Sequence, residues 1–114
     1  MYTIIVIPTE GEPYIDQILD ISPDHFDAIL GENDGVDYLE LGEVDAWFLL
    51  QDEEETDALP LNRLINNKEI IHGPMFLCGR DQTSLSDHAA EKWLMRAKSW
   101  LRLVSGINRR EAAN

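Results

Sequence analysis

The first apolar block of the chain, Tyr2-Thr3-Ile4-Ile5-Val6-Ile7, is β-branched from Thr3 onward and closed by Pro8, so it predicts a strand buried on both faces. Turn chemistry follows at Thr9-Glu10-Gly11-Glu12-Pro13, and Tyr14 to Asp20 reads as a second strand. Ser22-Pro23 is a helix start, with Ser at the N-cap and Pro where its missing N–H costs nothing. Phe26, Ile29 and Leu30 then share one helical face before Gly31. Val36 to Leu41 and Val44 to Leu50, joined by Gly42-Glu43, predict an antiparallel hairpin. Leu59 to Ile65 suggests a helical turn or a crossover. Ile70 to Gly79 reads as two half-strands broken at Gly73-Pro74, since Pro has no N–H for a ladder.

The clearest periodicity is the last. Ser84-Leu85-Ser86-Asp87 matches a capping box with Ser84 as N-cap, opening a helix to about Ser105 that Gly106 would end. Ala89, Ala90, Trp93, Leu94, Ala97, Trp100, Leu101 and Val104 fill one sector of it; Asp87, Glu91, Lys92, Arg96, Lys98 and Arg102 fill the other. The fold class that follows is α+β: a mostly antiparallel four- or five-stranded sheet with a long C-terminal helix on one face. Residues 1–106 form a single acidic domain in this reading, and 107–114 a frayed tail.

Charge changes the picture more than composition does. Residues 1–60 hold 17 Asp and Glu and no Lys or Arg, whereas residues 61–114 carry a formal +4, for a net charge of −13. Such a surface repels the nucleic-acid backbone, so direct nucleic-acid binding is not expected. It suits a basic protein partner; salt adaptation and plain solubility are the competing explanations. The carboxylates expected to face that partner are Asp37, Glu40, Glu43, Asp45, Asp52, Glu53, Glu54, Glu55 and Asp57. No apolar run approaches the ~20 residues that cross a bilayer, and the N-terminus lacks the pattern of a signal peptide. A cytoplasmic protein is the expectation.

Candidate chemistry is sparse. His25, His72 and His88 lack the spacing of a metal site, and the acidic run Asp52 to Glu55 lacks the alternation and Gly of a calcium loop. The single cysteine, Cys78, ends an apolar run and reads as a buried thiol. No phosphate-cradling Gly-rich loop is present. No catalytic residue, cofactor or metal is therefore expected, and the chain reads as a non-enzyme. The polar pair Asn62-Arg63 stands apart, as Arg63 is the first positive charge in the chain. Its structural reading is a bidentate bond to a carboxylate, with Asn62 capping a turn. Its functional reading is a small-ligand or nucleotide site at the guanidinium.

Three separated motifs line up: the apolar start ending in Pro8, the block Leu59-Pro60-Leu61-Asn62-Arg63 followed by Ile71-His72-Gly73-Pro74-Met75-Phe76, and Ser84-Leu85-Ser86-Asp87. In that order they resemble a small domain family of unknown function common in bacteriophages and integrative or conjugative elements. The resemblance covers about residues 1–95. This chain departs from it in the acidity of Glu53-Glu54-Glu55-Thr56-Asp57 and in extending the last helix. A mobile-element origin is what the resemblance implies, without a reaction. Together with the charge, it suggests an acidic protein that binds a basic host or element-encoded protein, in the sharper version as a nucleic-acid mimic against a restriction or CRISPR system, in the host cytoplasm if phage-encoded.

Overall fold

The computed structural model describes residues 1–31, 35–50, 60–66 and 68–102. Among the described residues eight strands and two helices follow one another: β1 (Tyr2–Ile7), β2 (Tyr14–Ile18), α1 (Pro23–Leu30), β3 (Val36–Glu40), β4 (Val44–Leu49), β5 (Leu61–Ile65), β6 (Glu69–His72), β7 (Met75–Gly79), α2 (Asp87–Ser99) and β8 (Leu101–Arg102). Five strands form one sheet in the order β2-β1-β7-β4-β3, and three form a second in the order β6-β5-β8. Every pairing is antiparallel. The α+β class and the antiparallel sheet are as the sequence predicts; the second sheet is additional.

Strand alternation builds two cores on opposite faces of the large sheet. Ile4, Val6, Trp47, Phe76 and Cys78 face α1, where they meet Phe26 and Leu30. Ile5, Ile7, Val44, Ala46, Met75 and Leu77 face the other way, against Trp93, Ala97 and Trp100 and against Ile65 and Ile71 of the small sheet. This double burial explains the apolar runs of β1 and β7, whose residues Met75 to Gly79 are all buried. On the α1 side, Phe26 packs 5.0 Å from the Trp47 ring and 5.2 Å from Phe76, and Tyr38 stacks on Trp47 at 4.8 Å.

Two local expectations are corrected. Leu59 to Ile65 is not a helical turn: its described part is strand β5, paired on both sides and with a register shift between Leu61 and Arg63. Its buried positions include Asn62 and Arg63, so polar residues occupy sites where an apolar alternation would have revealed a strand. The last helix is 13 residues long, shorter than expected. Its N-cap is Ser86, which accepts from the Ala89 N–H at 3.1 Å. Ser84 instead accepts from the Thr3 N–H at 2.8 Å, while the Leu85 N–H donates to the Thr3 carbonyl at 2.9 Å, tying this segment to β1. At the other end Trp100 turns extended, with φ −70° and ψ 141°, because Leu101 and Arg102 leave the helix to pair with Leu64 and Arg63. The proposed terminator Gly106 and the tail 107–114 lie outside the described residues.

Within α2 the predicted face holds, with Ala90, Trp93 and Ala97 buried and Trp100 buried just past its end, whereas Leu101 is exposed in β8 and Val104 lies outside the described residues. Trp93→Ala should therefore cost about 3–5 kcal/mol, the usual range for a buried large aromatic. Lys98→Ala, on the exposed face, should leave the urea midpoint close to wild type. Equal midpoints for the two variants would overturn this packing.

Candidate functional site

The expected partner-facing carboxylates separate into three situations. Asp37 is exposed on β3 and its Oδ1 accepts from the Tyr38 backbone N–H at 2.7 Å. Glu40 and Glu43 are exposed but engaged: Glu40 pairs with Arg80 at 3.2 Å, and Glu43 Oε1 accepts from Lys92 at 2.7 Å and from the Trp93 indole at 2.8 Å. Those two hydrogen bonds, Lys92 first, hold Glu43 below the usual carboxylate range. Asp45 is buried, 4 % exposed, and so is no part of a docking face. Asp52, Glu53, Glu54, Glu55 and Asp57 lie outside the described residues.

Asp45 is the focus of an unusual environment. It lines a cavity of about 140 Å³ with Tyr38, Glu40, Trp47, Arg80, Asp81 and Gln82. The turn carrying Arg80 to Gln82 is strained, since Asp81 and Gln82 both have φ 59° without being glycine. It is pinned from several sides: Arg80 Nη1 donates to the Gly42 carbonyl at 2.8 Å, Gln82 Nε2 to the Ile21 carbonyl at 3.0 Å, and the Asp81 backbone N–H supports Asp45. Arg80 Nε stands 3.5 Å from Asp45 Oδ1, an ion pair too long and misaligned to count as a hydrogen bond, and that oxygen has no hydrogen-bond partner. Burial pushes the Asp45 carboxyl up, outweighing the Asp81 N–H and Arg80. Burial, with Asp45 adding to it, also pushes the adjacent Cys78 thiol up to about 12. Cys78 is thus a protonated, enclosed thiol at neutral pH, the opposite of an activated nucleophile.

Asn62 and Arg63 are brought together on β5, 0 % and 2 % exposed. The Asn62 amide nitrogen donates to the carbonyls of Ile7 and Gly73, both at 2.9 Å, and its oxygen accepts from Arg63 Nη1 at 2.9 Å. Arg63 Nη2 reaches the Gly11 carbonyl at 3.1 Å. The expected carboxylate partner of Arg63 does not appear among the described residues; backbone carbonyls take its place, and Asn62 bridges strands rather than capping a turn. Burial lowers the Arg63 guanidinium, neighbouring Arg102 adds to this, and Glu12 opposes it. Both nitrogen donors of Asn62 are consumed within the fold. The pair is a joint between the two sheets, and what it offers a ligand is correspondingly small.

Among the described residues no group of three or more His, Cys, Asp or Glu side chains could hold a metal ion, and no helix is long and apolar enough to cross a membrane. His25 is held locally, its Nδ1 3.0 Å from Ser22 Oγ. The buried Asp45 escaped the sequence reading as a cavity residue because its strand neighbours alternate like those of an exposed acid; the close spacing of Asp45, Trp47 and Tyr38 across one hairpin was the available signal.

An antiparallel sheet covered on both faces, with a polar joint and a strained acidic corner, defines a small α+β domain without a recognisable catalytic constellation among the described residues. The chain belongs to a family of domains of unknown function (DUF3846), whose model matches residues 1–98. No curated protein and no solved structure matches it.

Two outcomes test these assignments. Because burial raises Asp45 in the folded state, the native fold holds that proton more tightly than the unfolded chain does. Its contribution to stability therefore falls as pH rises from about 4, the unfolded-state value, through the raised folded value. Asp45→Asn should gain stability over wild type at neutral pH, with the difference closing in acid, as read from urea midpoints at pH 4 and pH 7. A neutral-pH midpoint far below wild type would mean that the Arg80 contact outweighs burial. Asn62→Ala should destabilise strongly, at about 1–3 kcal/mol for each buried group left without its partner; a wild-type midpoint would refute the joint.

Proposed function

We propose that this chain is a non-enzymatic acidic interaction protein that docks on a basic surface of a partner protein. The observation that carries the reading is the state of the carboxylates on the β1–β2 hairpin. Glu10, Glu12 and Asp16 are exposed and make no ion pair with a Lys or Arg among the described residues, in contrast to Glu40 and Glu43. Carboxylates without an ion-paired cation of their own repel one another and gain from an external one. The chemistry around Cys78 supports the non-enzymatic part, because its thiol is buried and raised.

In its sharper form the surface mimics nucleic acid and occupies the groove of a host defence effector, such as a restriction or CRISPR enzyme. The motif resemblance to phage and mobile-element domains supports that form. A host protein is then the partner, and the host cytoplasm is where the two meet.

Association with a captured partner should be fast and should weaken as salt rises, because the Debye length shrinks from ~10 Å at 0.1 M to ~3 Å at 1 M. Glu10→Gln with Glu12→Gln should slow association and flatten the salt dependence, measured by surface plasmon resonance. Salt-indifferent binding would overturn the electrostatic reading. Simultaneous binding of duplex DNA and this protein to the partner would overturn the mimicry form alone.

A further inference from the structure

Among the described residues, the outer strands of the large sheet, β2 and β3, each leave one row of backbone groups unpaired by a neighbouring strand. Register and hydrogen bonds together fix which groups these are. Thr3 spends its N–H on Ser84 and its carbonyl on Leu85, on the side of β1 away from β2. Thr3 lies opposite Gln17, and Ile5 opposite Ile15. Antiparallel pairs alternate between bonded and unbonded, so both of these are unbonded pairs, and Ile15 and Gln17 aim their N–H and C=O groups outward. On β3 the bonds Leu41 N–H to Val44 C=O and Leu50 N–H to Gly35 C=O leave Tyr38 facing outward by the same count.

Both edges carry the same device. The outward N–H of Gln17 donates to Oδ1 of the preceding Asp16 at 2.8 Å, and that of Tyr38 donates to Oδ1 of the preceding Asp37 at 2.7 Å. A charged side chain folded onto its own strand satisfies the edge and discourages indiscriminate pairing. The two edges differ in what surrounds them. Close to β3, Glu40 is tied to Arg80. Along β2, Tyr14 to Gln17 are all exposed, with Tyr14 on one face of the sheet and Ile15 on the other. Its nearby acids Glu10, Glu12 and Asp16 have no Lys or Arg ion pair among the described residues.

We infer that the open edge of β2 is a docking strand for an extended basic segment of a partner protein, which adds to the sheet as a sixth strand. Ile15 offers its N–H and C=O, and Gln17 its C=O, to the incoming backbone, while the Tyr14 and Ile15 side chains supply apolar contact on the two faces. A Lys or Arg of the segment takes the Asp16 carboxylate. The Gln17 N–H released in that exchange passes to a carbonyl of the incoming strand, so each group trades one partner for another. A second copy of the chain is a poor occupant, because it would set one Asp16 edge against another in a molecule of net charge −13. The inference rests on the proposed docking of a basic partner and names its place and manner.

The test titrates 15N-labelled protein with a soluble peptide of alternating Lys and Val, and with the same peptide methylated at every backbone nitrogen, which keeps the charge and removes every N–H. The first peptide should shift resonances confined to residues 14–18 and slow amide exchange at Ile15 and Gln17. The methylated peptide should bind at least about tenfold more weakly, the effect of losing one or more such bonds. Ile15→Pro removes an N–H that plays no part in the β1 ladder; its circular dichroism should match wild type while its affinity for the unmethylated peptide falls as far. Equal affinity for the two peptides, or shifts spread over the whole acidic surface, would overturn strand addition and leave acidic docking standing. Absence of binding by either at low salt would overturn both. Concentration-dependent shifts at Ile15 and Gln17 without peptide would assign the edge to a second copy and overturn the inference.

Discussion

The side-chain amide of Asn62, on β5 of the small sheet, donates to two carbonyls outside that sheet, Ile7 at the end of β1 and Gly73 at the corner between β6 and β7. Everything else in the architecture depends on that joint. Without that amide both carbonyls would lose a donor, and the adjoining guanidinium of Arg63 would lose the oxygen that orients it. The Gly73 N–H closes the corner by donating to the Pro60 carbonyl at 2.7 Å, and Gly73 itself has φ 80°, a conformation other residues reach only with strain. Small and large sheets share one apolar core, lined by Ile65 and Ile71 from one and Ile5, Ile7 and Leu77 from the other. The polar joint sets their register at its margin.

Most elements are legible from pattern alone. The β-branched run of β1, the hairpin of β3 and β4, the Ser22-Pro23 helix start and the Gly73-Pro74 break all appear where the residues predict them. What was not legible has a common cause. Strand β5 hides because two of its buried positions hold Asn62 and Arg63, and the end of α2 hides because the apolar period continues through Leu101, which is exposed and pairs with β5 instead. In both places tertiary pairing overrides local pattern. The same holds for Ser84 and Ser86, where each hydroxyl suits a helix cap and only the neighbouring strand decides which one is used.

Charge is segregated in the sequence but is partly reunited in space. Arg80 and Lys92, from the basic half, fold over Glu40, Asp45 and Glu43, so the acidic character of the β3–β4 hairpin is muted. On the β1–β2 side the basic half contributes Arg63 and Arg102, whose guanidinium groups bind the Gly11 and Thr9 carbonyls, while Glu10, Glu12 and Asp16 form no ion pair with a Lys or Arg among the described residues. A sum over the sequence therefore misplaces the charge: Glu40, Glu43 and Asp45 of the β3–β4 hairpin are ion-paired, and the carboxylates of the β1–β2 hairpin are not, among the described residues. Edge-capping aspartates add a second function to some of these charges, because the carboxylates that give the surface its sign also close its hydrogen-bonding edges.

The place of β7 has a consequence for how the molecule is assembled. The hairpins β1–β2 and β3–β4 are local in the chain, but neither belongs to the same sheet as the other until Met75–Gly79 slides between them, pairing Ile5 with Leu77 on one side and Ala46 with Leu77 on the other. Long-range pairing of this kind is slow, because the loop must close before the contact rewards it. On a ribosome extending the chain at about 5–20 residues per second, the first half must wait seconds for its central strand. During that wait its apolar faces are exposed to solvent and to other chains. Sixty residues bearing a single sign of charge keep those unfinished hairpins apart until the keystone arrives.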